Sequence, residues 1–249
     1  MISKSQISFI KSLQLKKFRK AHNHFIVEGI KSITEFYEED YTLHSIYYLP
    51  EISSKVDNFL RNIKGFEVSS DELNKISALS NPQDILAVFK IPEYDIRIED
   101  MAGKYALALD GVQDPGNLGT IIRTADWFGI DTLICSKDTA DIYNPKVVQA
   151  SMGSLSRMKI KYCGLDSFLS QYPYAIYGAV LEGDSLYESE FDKEGIVILG
   201  NEGHGISDEV RRHVSKTIMI PRFGRAESLN VAISAAIICS ELNRKMKKA

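Results

Sequence analysis

The stretch Asp110-Gly111-Val112-Gln113-Asp114-Pro115-Gly116-Asn117-Leu118-Gly119 follows an apolar run at 105–109 and leads into Thr120-Ile121-Ile122-Arg123-Thr124-Ala125-Asp126-Trp127-Phe128-Gly129. An apolar run, a glycine-bearing loop and a helical period, in that order, read as strand, loop and helix, the opening unit of a parallel α/β sheet. The glycines fit neither common phosphate-binding pattern. Gly111, Gly116 and Gly119 lack the G-x-G-x-x-G spacing, and no G-K-[ST] closes the loop. Taken alone, Pro115-Gly116 predicts a turn with glycines at positive φ. Arg123 lies about two turns beyond Asn117, so the spacing predicts that both face one cavity. An arginine near a helix start works against the helix dipole, which hints at a task other than stability.

Downstream, strand-like runs at 132–135, 159–162, 175–179, 196–199 and 217–220 are mostly separated by helical segments long enough for crossovers. This predicts a largely parallel sheet with its ligand site at the strand C-termini. The run at 196–199 opens onto Gly200-Asn201-Glu202-Gly203-His204-Gly205-Ile206-Ser207, where three glycines around one carboxylate let the backbone approach a ligand, and Ser207 caps the next helix. His204 has no second His or Cys at ligand spacing, so no metal site is expected. A third segment, Ile218-Met219-Ile220-Pro221-Arg222-Phe223-Gly224-Arg225-Ala226-Glu227-Ser228-Leu229-Asn230-Val231-Ala232, runs from a strand into a helix expected over 228–247. Ser228 is its expected N-cap and Asn230 falls in its first turn. The helix is apolar on most faces up to Cys239, as in a helix buried in a core or against another subunit, and ends in the basic Arg244-Lys245-Met246-Lys247-Lys248.

Upstream, strands are expected at 25–27, 45–49, 65–68 and 85–89, and helices at 30–39, 53–62 and 71–79, the last capped by Ser70 or Asp71. Residues 91–100 hold four acids, a proline and no period, and read as a linker. The organisation expected is therefore an α/β domain over 1–90, a linker over 91–103 and a second α/β domain over 104–249. The formal net charge of −3 announces no polyanionic partner, so any electrostatic footprint must be local. One exists: before Glu28 there is no acid, while Lys4, Lys11, Lys16, Lys17, Arg19 and Lys20 supply six cations. Lys16, Lys17, Arg19 and Lys20 are candidates for phosphate contact, a solvated helix face being the plain alternative. Cys135, Cys163 and Cys239 are far apart and unpaired in spacing, which predicts reduced thiols. No apolar run approaches the roughly 20 residues of a membrane span, and Met1-Ile2-Ser3-Lys4-Ser5-Gln6 has no leader-like character, so the cytosol is the expected location.

In order, Asn117-Leu118-Gly119-Thr120-Ile121-Ile122-Arg123, Leu199-Gly200-Asn201-Glu202-Gly203-His204-Gly205 and Ile220-Pro221 through Ser228-Leu229-Asn230-Val231-Ala232 resemble the three motifs of the SpoU/TrmH branch of the SPOUT RNA methyltransferases. The N-terminal region is similar to that family's L30e-like substrate-binding domain through Ser12-Leu13-Gln14, Lys17-Phe18-Arg19 and Phe25-Ile26-Val27-Glu28-Gly29. The resemblance implies a trefoil-knotted C-terminal α/β domain with a mostly parallel sheet and a smaller N-terminal α/β domain. It implies S-adenosylmethionine held by Leu199, Gly200, Glu202, Gly203, Ile220, Ser228, Leu229 and Asn230, partly through main-chain groups, and a homodimer packed through the knotted region. The implied reaction is methyl transfer to a ribose 2′-hydroxyl of RNA, 23S rRNA with guanosine favoured, with Arg123 central and Asn117, Glu202, Ser228 and Asn230 positioning it, the ribose or the cofactor. Arg123 also stands among the implied RNA contacts. A guanidinium gives up its proton only with great difficulty, so electrostatic lowering of the hydroxyl pKa, or a clamp on the 3′-phosphate, suits Arg123 better than a literal base role. Glu202 is the carboxylate expected to orient it. Ala232 departs from the pattern, because relatives often carry Ser there. A tRNA 2′-O-methyltransferase and a catalytically silent RNA-binding scaffold are the competing readings.

Overall fold

The computed structural model describes residues 2–60 and 63–246. The chain divides into two compact units: the N-terminal sequence to Tyr94 together with Asp141–Ser156, and Asp95–Ala140 together with the sequence from Arg157 onward.

The first unit contains α1 (Lys4–Ser12), α2 (Lys16–His22), β1 (His24–Glu28), α3 (Ile30–Glu38), β2 (Leu43–Tyr48), α4 (Ser53–Leu60), β3 (Lys64–Glu67), α5 (Ser70–Ile76) and β4 (Ile85–Lys90). The sheet order is β1-β4-β2-β3, with β4 antiparallel to both its neighbours and β2 parallel to β3. Alternation along β1 sorts the two faces. Ile26 joins Ile10, Leu13, Leu73, Ile76 and Val88 in one core, while Phe25 turns to an aromatic cluster with Phe36, Phe89 and Tyr143. Tyr143 belongs to the segment Asp141–Ser156, whose helix, Pro145–Ser151, packs on β1. Sequence reading placed this segment within 104–249, since nothing local marks it as part of an earlier core.

The cap of α5 is Ser69, one residue before the expected positions. Its hydroxyl accepts from the Glu72 N–H at 3.3 Å while Glu72 Oε2 accepts from the Ser69 N–H at 3.0 Å, a reciprocal capping box. Residues 61 and 62, the expected end of the 53–62 helix, lie outside the described residues, as do Lys247 and Lys248.

The second unit holds β5 (Tyr105–Leu109), α6 (Pro115–Trp127) and β6 (Thr132–Ser136). In the chain α7 (Pro145–Ser151) follows, already placed in the first unit, and then β7 (Lys159–Cys163), α8 (Leu165–Leu169), β8 (Ala175–Ser185), β9 (Gly195–Leu199), α9 (Asp208–Arg211), β10 (Lys216–Met219) and α10 (Val231–Met246). The order is β10-β8-β9-β5-β6-β7 and every ladder is parallel. β5, β6 and β9 are buried along their whole length, as strands covered on both faces must be. α6 and α10 pack together, and α8 packs on α9 and β6. Of the stretch 91–103 read as a linker, Ile96 and Met101 are buried in the core of this unit. Their irregular spacing carries no period, so the sequence pattern could not show it.

Burial pushes the Cys239 thiol up to about 12 and also raises Cys135 and Cys163, which fits packing groups better than nucleophiles. Among the described residues no helix is long and apolar enough to cross a membrane, and no group of three or more His, Cys, Asp or Glu is placed to hold a metal ion.

Candidate active site

Because the sheet of the second unit is parallel, the loops after β5, β9 and β10 all leave its C-terminal edge, and the three sequence motifs lie there. The loop after β5 is fixed first. The Asp110 N–H bonds the Leu199 carbonyl at 2.9 Å, so β5 continues one residue along β9. Gly111, at φ +72°, turns the chain, and its N–H donates to Ser136 Oγ at 2.8 Å. Thr139 Oγ1 donates to the Leu109 carbonyl at 3.0 Å, which leaves Ser136 to donate to Thr139 across 2.9 Å. Every hydroxyl proton in this buttress is thereby assigned.

Asp114 caps α6 by accepting from the Asn117 N–H at 2.8 Å, with Pro115 as the first helical residue. The expected Pro115-Gly116 turn is therefore a helix start: Gly116 and Gly119 lie inside α6, and of the loop's glycines only Gly111 has positive φ. Arg123 is the ninth residue of α6, beyond the first turn, so the dipole argument does not apply to it. Six residues at ~100° each also leave it roughly 120° around the helix from Asn117, against the expectation of a common direction.

The loop after β9 closes on itself. Asn201 and Gly205 exchange main-chain hydrogen bonds of 2.9 Å in both directions, and Asn201 Oδ1 accepts from the N–H groups of Gly203 and His204. Asn201 Nδ2 reaches the Gly111 carbonyl at 2.6 Å and Asp110 Oδ2 accepts from the Ser207 N–H at 2.7 Å, tying the first two loops together. A Cβ on Gly200 would stand 2.2 Å from the Gly205 carbonyl carbon, so this glycine is required by the loop's own packing. Ser207 occupies the N-cap position of α9 but makes no side-chain cap bond, contrary to the expectation.

The third loop meets the other two through one chain of amides. Asn230, not Ser228, caps α10: its Oδ1 accepts from the Ala232 N–H at 2.9 Å and the Ile233 N–H at 3.3 Å. With Oδ1 so used, Nδ2 points away and donates to Asn117 Oδ1 at 2.9 Å. Asn117 Nδ2 then faces Glu202 and donates to its Oε1 at 2.8 Å. The cap thus sets the orientation of both amides and aims a donor at the carboxylate. Ala232 is buried and takes part through its N–H, so the cap needs no hydroxyl there.

The structure thus joins Asn117, Glu202 and Asn230. Arg123 is exposed, and among the described residues it makes no hydrogen bond or ion pair with Glu202, so the expected Glu202–Arg123 pairing is replaced by Glu202–Asn117. Ser228 and Leu229 sit in the exposed 222–230 run with Phe223, which is 97% exposed. The main-chain groups of Gly200, Ile220 and Leu229 take no partner within the described chain, while the Leu199 carbonyl already accepts from Asp110. Sequence reasoning missed Asp110, Ser136, Thr139 and Asn201. An acid at the end of an apolar strand was a visible signal for Asp110, whereas Ser136 and Thr139 had none.

In the first unit, Lys16, Lys17 and Lys20 are exposed, as a phosphate contact requires. Arg19 is not available. It is 2% exposed, its Nη1 donates to the Leu13 and Gln14 carbonyls at 2.8 and 2.9 Å, and its Nη2 and Nε grip Asp141 at 2.5 and 3.1 Å. Its expected place among the RNA contacts is corrected to an internal clamp on the end of α1.

The SpoU rRNA Methylase family matches residues 104–240, and an MRM3-like substrate binding domain matches residues 4–87. The 23S rRNA (guanosine(2553)-2′-O)-methyltransferase RlmP of Bacillus subtilis is 31% identical over 236 residues, 93% of each chain. The 23S rRNA (guanosine-2′-O-)-methyltransferase RlmB of Neisseria meningitidis is 30% identical over 86% of this chain and 88% of its own. A 23S rRNA (uridine(2479)-2′-O)-methyltransferase of Streptomyces viridochromogenes is 28% identical over 89% of this chain and 83% of its own. Among solved structures, a putative RNA methyltransferase of the TrmH family from Porphyromonas gingivalis superposes with TM-score 0.87 at 36% identity over the whole of both chains. An AdoMet-bound rRNA methyltransferase from Sinorhizobium meliloti superposes with TM-score 0.87 at 28% identity over 98% of this chain and 97% of that one.

Proposed function

The chain belongs to the SpoU rRNA methylase family and is an S-adenosylmethionine-dependent RNA 2′-O-methyltransferase, and from that premise we propose that its substrate is 23S rRNA and its target nucleoside a guanosine. Two relatives named for guanosine in 23S rRNA support the target, and the one named for uridine marks where the choice of base is open to test.

The observation that carries the site assignment is the amide chain Asn230–Asn117–Glu202, which ties the three loops into one wall. The open main-chain groups of Gly200, Ile220 and Leu229, beside their own apolar atoms, fit the polar edge and apolar faces of an adenosine. Gly203, Ser228, Asn230 and Glu202 complete the proposed cofactor wall. When bound, S-adenosylmethionine supplies a methyl group already activated by its sulfonium.

The chain's own task is then the nucleophile, a ribose hydroxyl of weak acidity. It must be held in line and its developing negative charge favoured. Arg123, exposed and without a partner among the described residues, offers its guanidinium to that charge or to the adjoining phosphate. Among the described residues Glu202 accepts one hydrogen bond, from Asn117, and so keeps lone pairs for a ribose hydroxyl. Lys16, Lys17 and Lys20 take RNA phosphates on the first unit. Trp127, 83% exposed on α6, and Ile233, half exposed on α10, offer apolar area for the homodimer that the family resemblance implies. The cytosol, where ribosomal RNA is made in bacteria, is the proposed place of action.

The test is methyl transfer from radiolabelled S-adenosylmethionine into unmodified ribosomal RNA and precursor particles, then nuclease digestion and nucleoside analysis. A 2′-O-methylguanosine in 23S rRNA is the expected product. Label in another nucleoside overturns the guanosine assignment, label in tRNA alone overturns the substrate, and cofactor binding without any incorporation points to a silent scaffold.

A further inference from the structure

Five rings of the first unit form an unbroken strip that the site assignment leaves unused. Phe18 and His22 lie nearly parallel on α2, 16° apart with centroids at 6.3 Å. His22 meets Phe9 of α1 edge-on at 5.2 Å, Phe9 meets His24 at 6.0 Å and His44 at 5.8 Å, and His24 meets His44 at 4.7 Å. His22 and His44 are exposed, and Phe9, Phe18 and His24 are half-buried. Three imidazoles at a surface are poor core material, and two of them, His22 and His44, are exposed. The His22 carbonyl can only accept, so His24 Nδ1 carries the proton in the 2.6 Å contact between them, which fixes the His24 ring beside α2.

The surroundings are cationic. Lys16 and Lys20 lie on the same helix as Phe18 and His22, the Lys17 ammonium stands 4.7 Å over the Phe18 ring, and Lys90 pairs with His24 in the sheet register. No acid precedes Glu28 in the sequence. Rings interleaved with lysines are the combination by which single-stranded nucleic acid is held, the bases stacking while cations follow the backbone. A duplex hides its base faces and can use only the lysines.

We propose that this strip, from Phe18 and His22 through Phe9 to His24 and His44, stacks unpaired bases of the RNA substrate while Lys16, Lys17 and Lys20 hold the neighbouring phosphates. The inference rests on the RNA methyltransferase reading and specifies which part of the substrate the first unit recognises: a loop, bulge or strand end rather than a helix.

Fluorescence anisotropy of the full-length protein tests it with a labelled single-stranded oligoribonucleotide and with the same strand in a perfect duplex. Phe18→Ala combined with His22→Ala is expected to raise the Kd for the single strand at least tenfold while changing the duplex Kd less than twofold. Restoring a flat ring with His22→Phe in the otherwise native chain should keep single-strand affinity within threefold. Lys16→Gln and Lys20→Gln should each weaken both ligands and lower the salt slope by about one. Equal losses on strand and duplex after ring removal, or no loss on either, overturn the stacking role. In methyl transfer the ring variants should raise KM for RNA while kcat and cofactor affinity hold. A wild-type protein that methylates no RNA counts against the enzyme reading, which the affinity comparison does not depend on.

Discussion

Each unit carries an arginine and a glutamate that sequence reading singles out or passes over for opposite reasons. In the first unit Arg19 is buried and gives its donors to Leu13, Gln14 and Asp141, and Glu28 is buried with its oxygens taken by Ser77 Oγ at 2.6 Å and the Ala78 N–H at 2.8 Å. In the second, Arg123 is exposed with no partner inside the described chain, and Glu202 is exposed with one. The first pair is closed and holds the fold together; the second is open and can act on something outside it. A charge becomes functional through the bonds the fold withholds from it, and local sequence does not record them.

Removing Arg19 should give the largest effect on stability. Arg19→Met leaves Asp141 without its ion partner in a largely buried place, and a loss of about 3–5 kcal/mol is expected in urea unfolding. A loss below 1 kcal/mol would erase the contrast with Arg123. Arg123→Ala should do the reverse, lowering single-turnover methyl transfer by roughly 10²–10³-fold, as for removal of a charge-stabilising donor, with thermal midpoint and cofactor affinity unchanged. If cofactor binding is lost instead, Arg123 belongs to the cofactor wall. Asn230→Ala should combine both kinds of effect at smaller size, about 1 kcal/mol of stability from the lost cap and a reduced kcat because Asn117 is no longer oriented. Asn230→Asp keeps the cap but cannot donate to Asn117, so it should recover the stability and not the rate. The smallest effect concerns Glu28. Burial raises its pKa above 4.5, against the lowering by Ser77 and Ala78, so the folded state binds its proton more tightly than the unfolded one. Stability should therefore fall as pH rises from 4.5 through the raised value, and Glu28→Gln should flatten that part of the profile.

The strands of both units and the placement of all three motifs at one sheet edge were legible, because period-two and continuous apolar runs are written locally. Asn117, Glu202 and Asn230 were legible as candidates, yet not as a chain. Their order depends on the cap of α10, and a cap shifted from Ser228 to Asn230 decides which amide atom faces which partner. The true role of Arg19 lay 122 residues away in Asp141, and the packing of Ile96 and Met101 was hidden by the acids around them. The ring strip joins residues from α1, α2, β1 and β2, and only the fold brings them side by side.

The first unit borrows Asp141–Ser156 from far along the chain, and this bears on how the protein is made. During synthesis β4 leaves the ribosome well before Tyr143, Val147 and Val148 do, so the aromatic core around Phe25 and Phe36 waits for its last wall. In that interval the face of β1 that α7 will cover stands bare, a period in which nascent chains are open to misassociation. A gene fragment ending at residue 94 would make that interval permanent, yielding a domain with its own sheet but without the side chains that seal it.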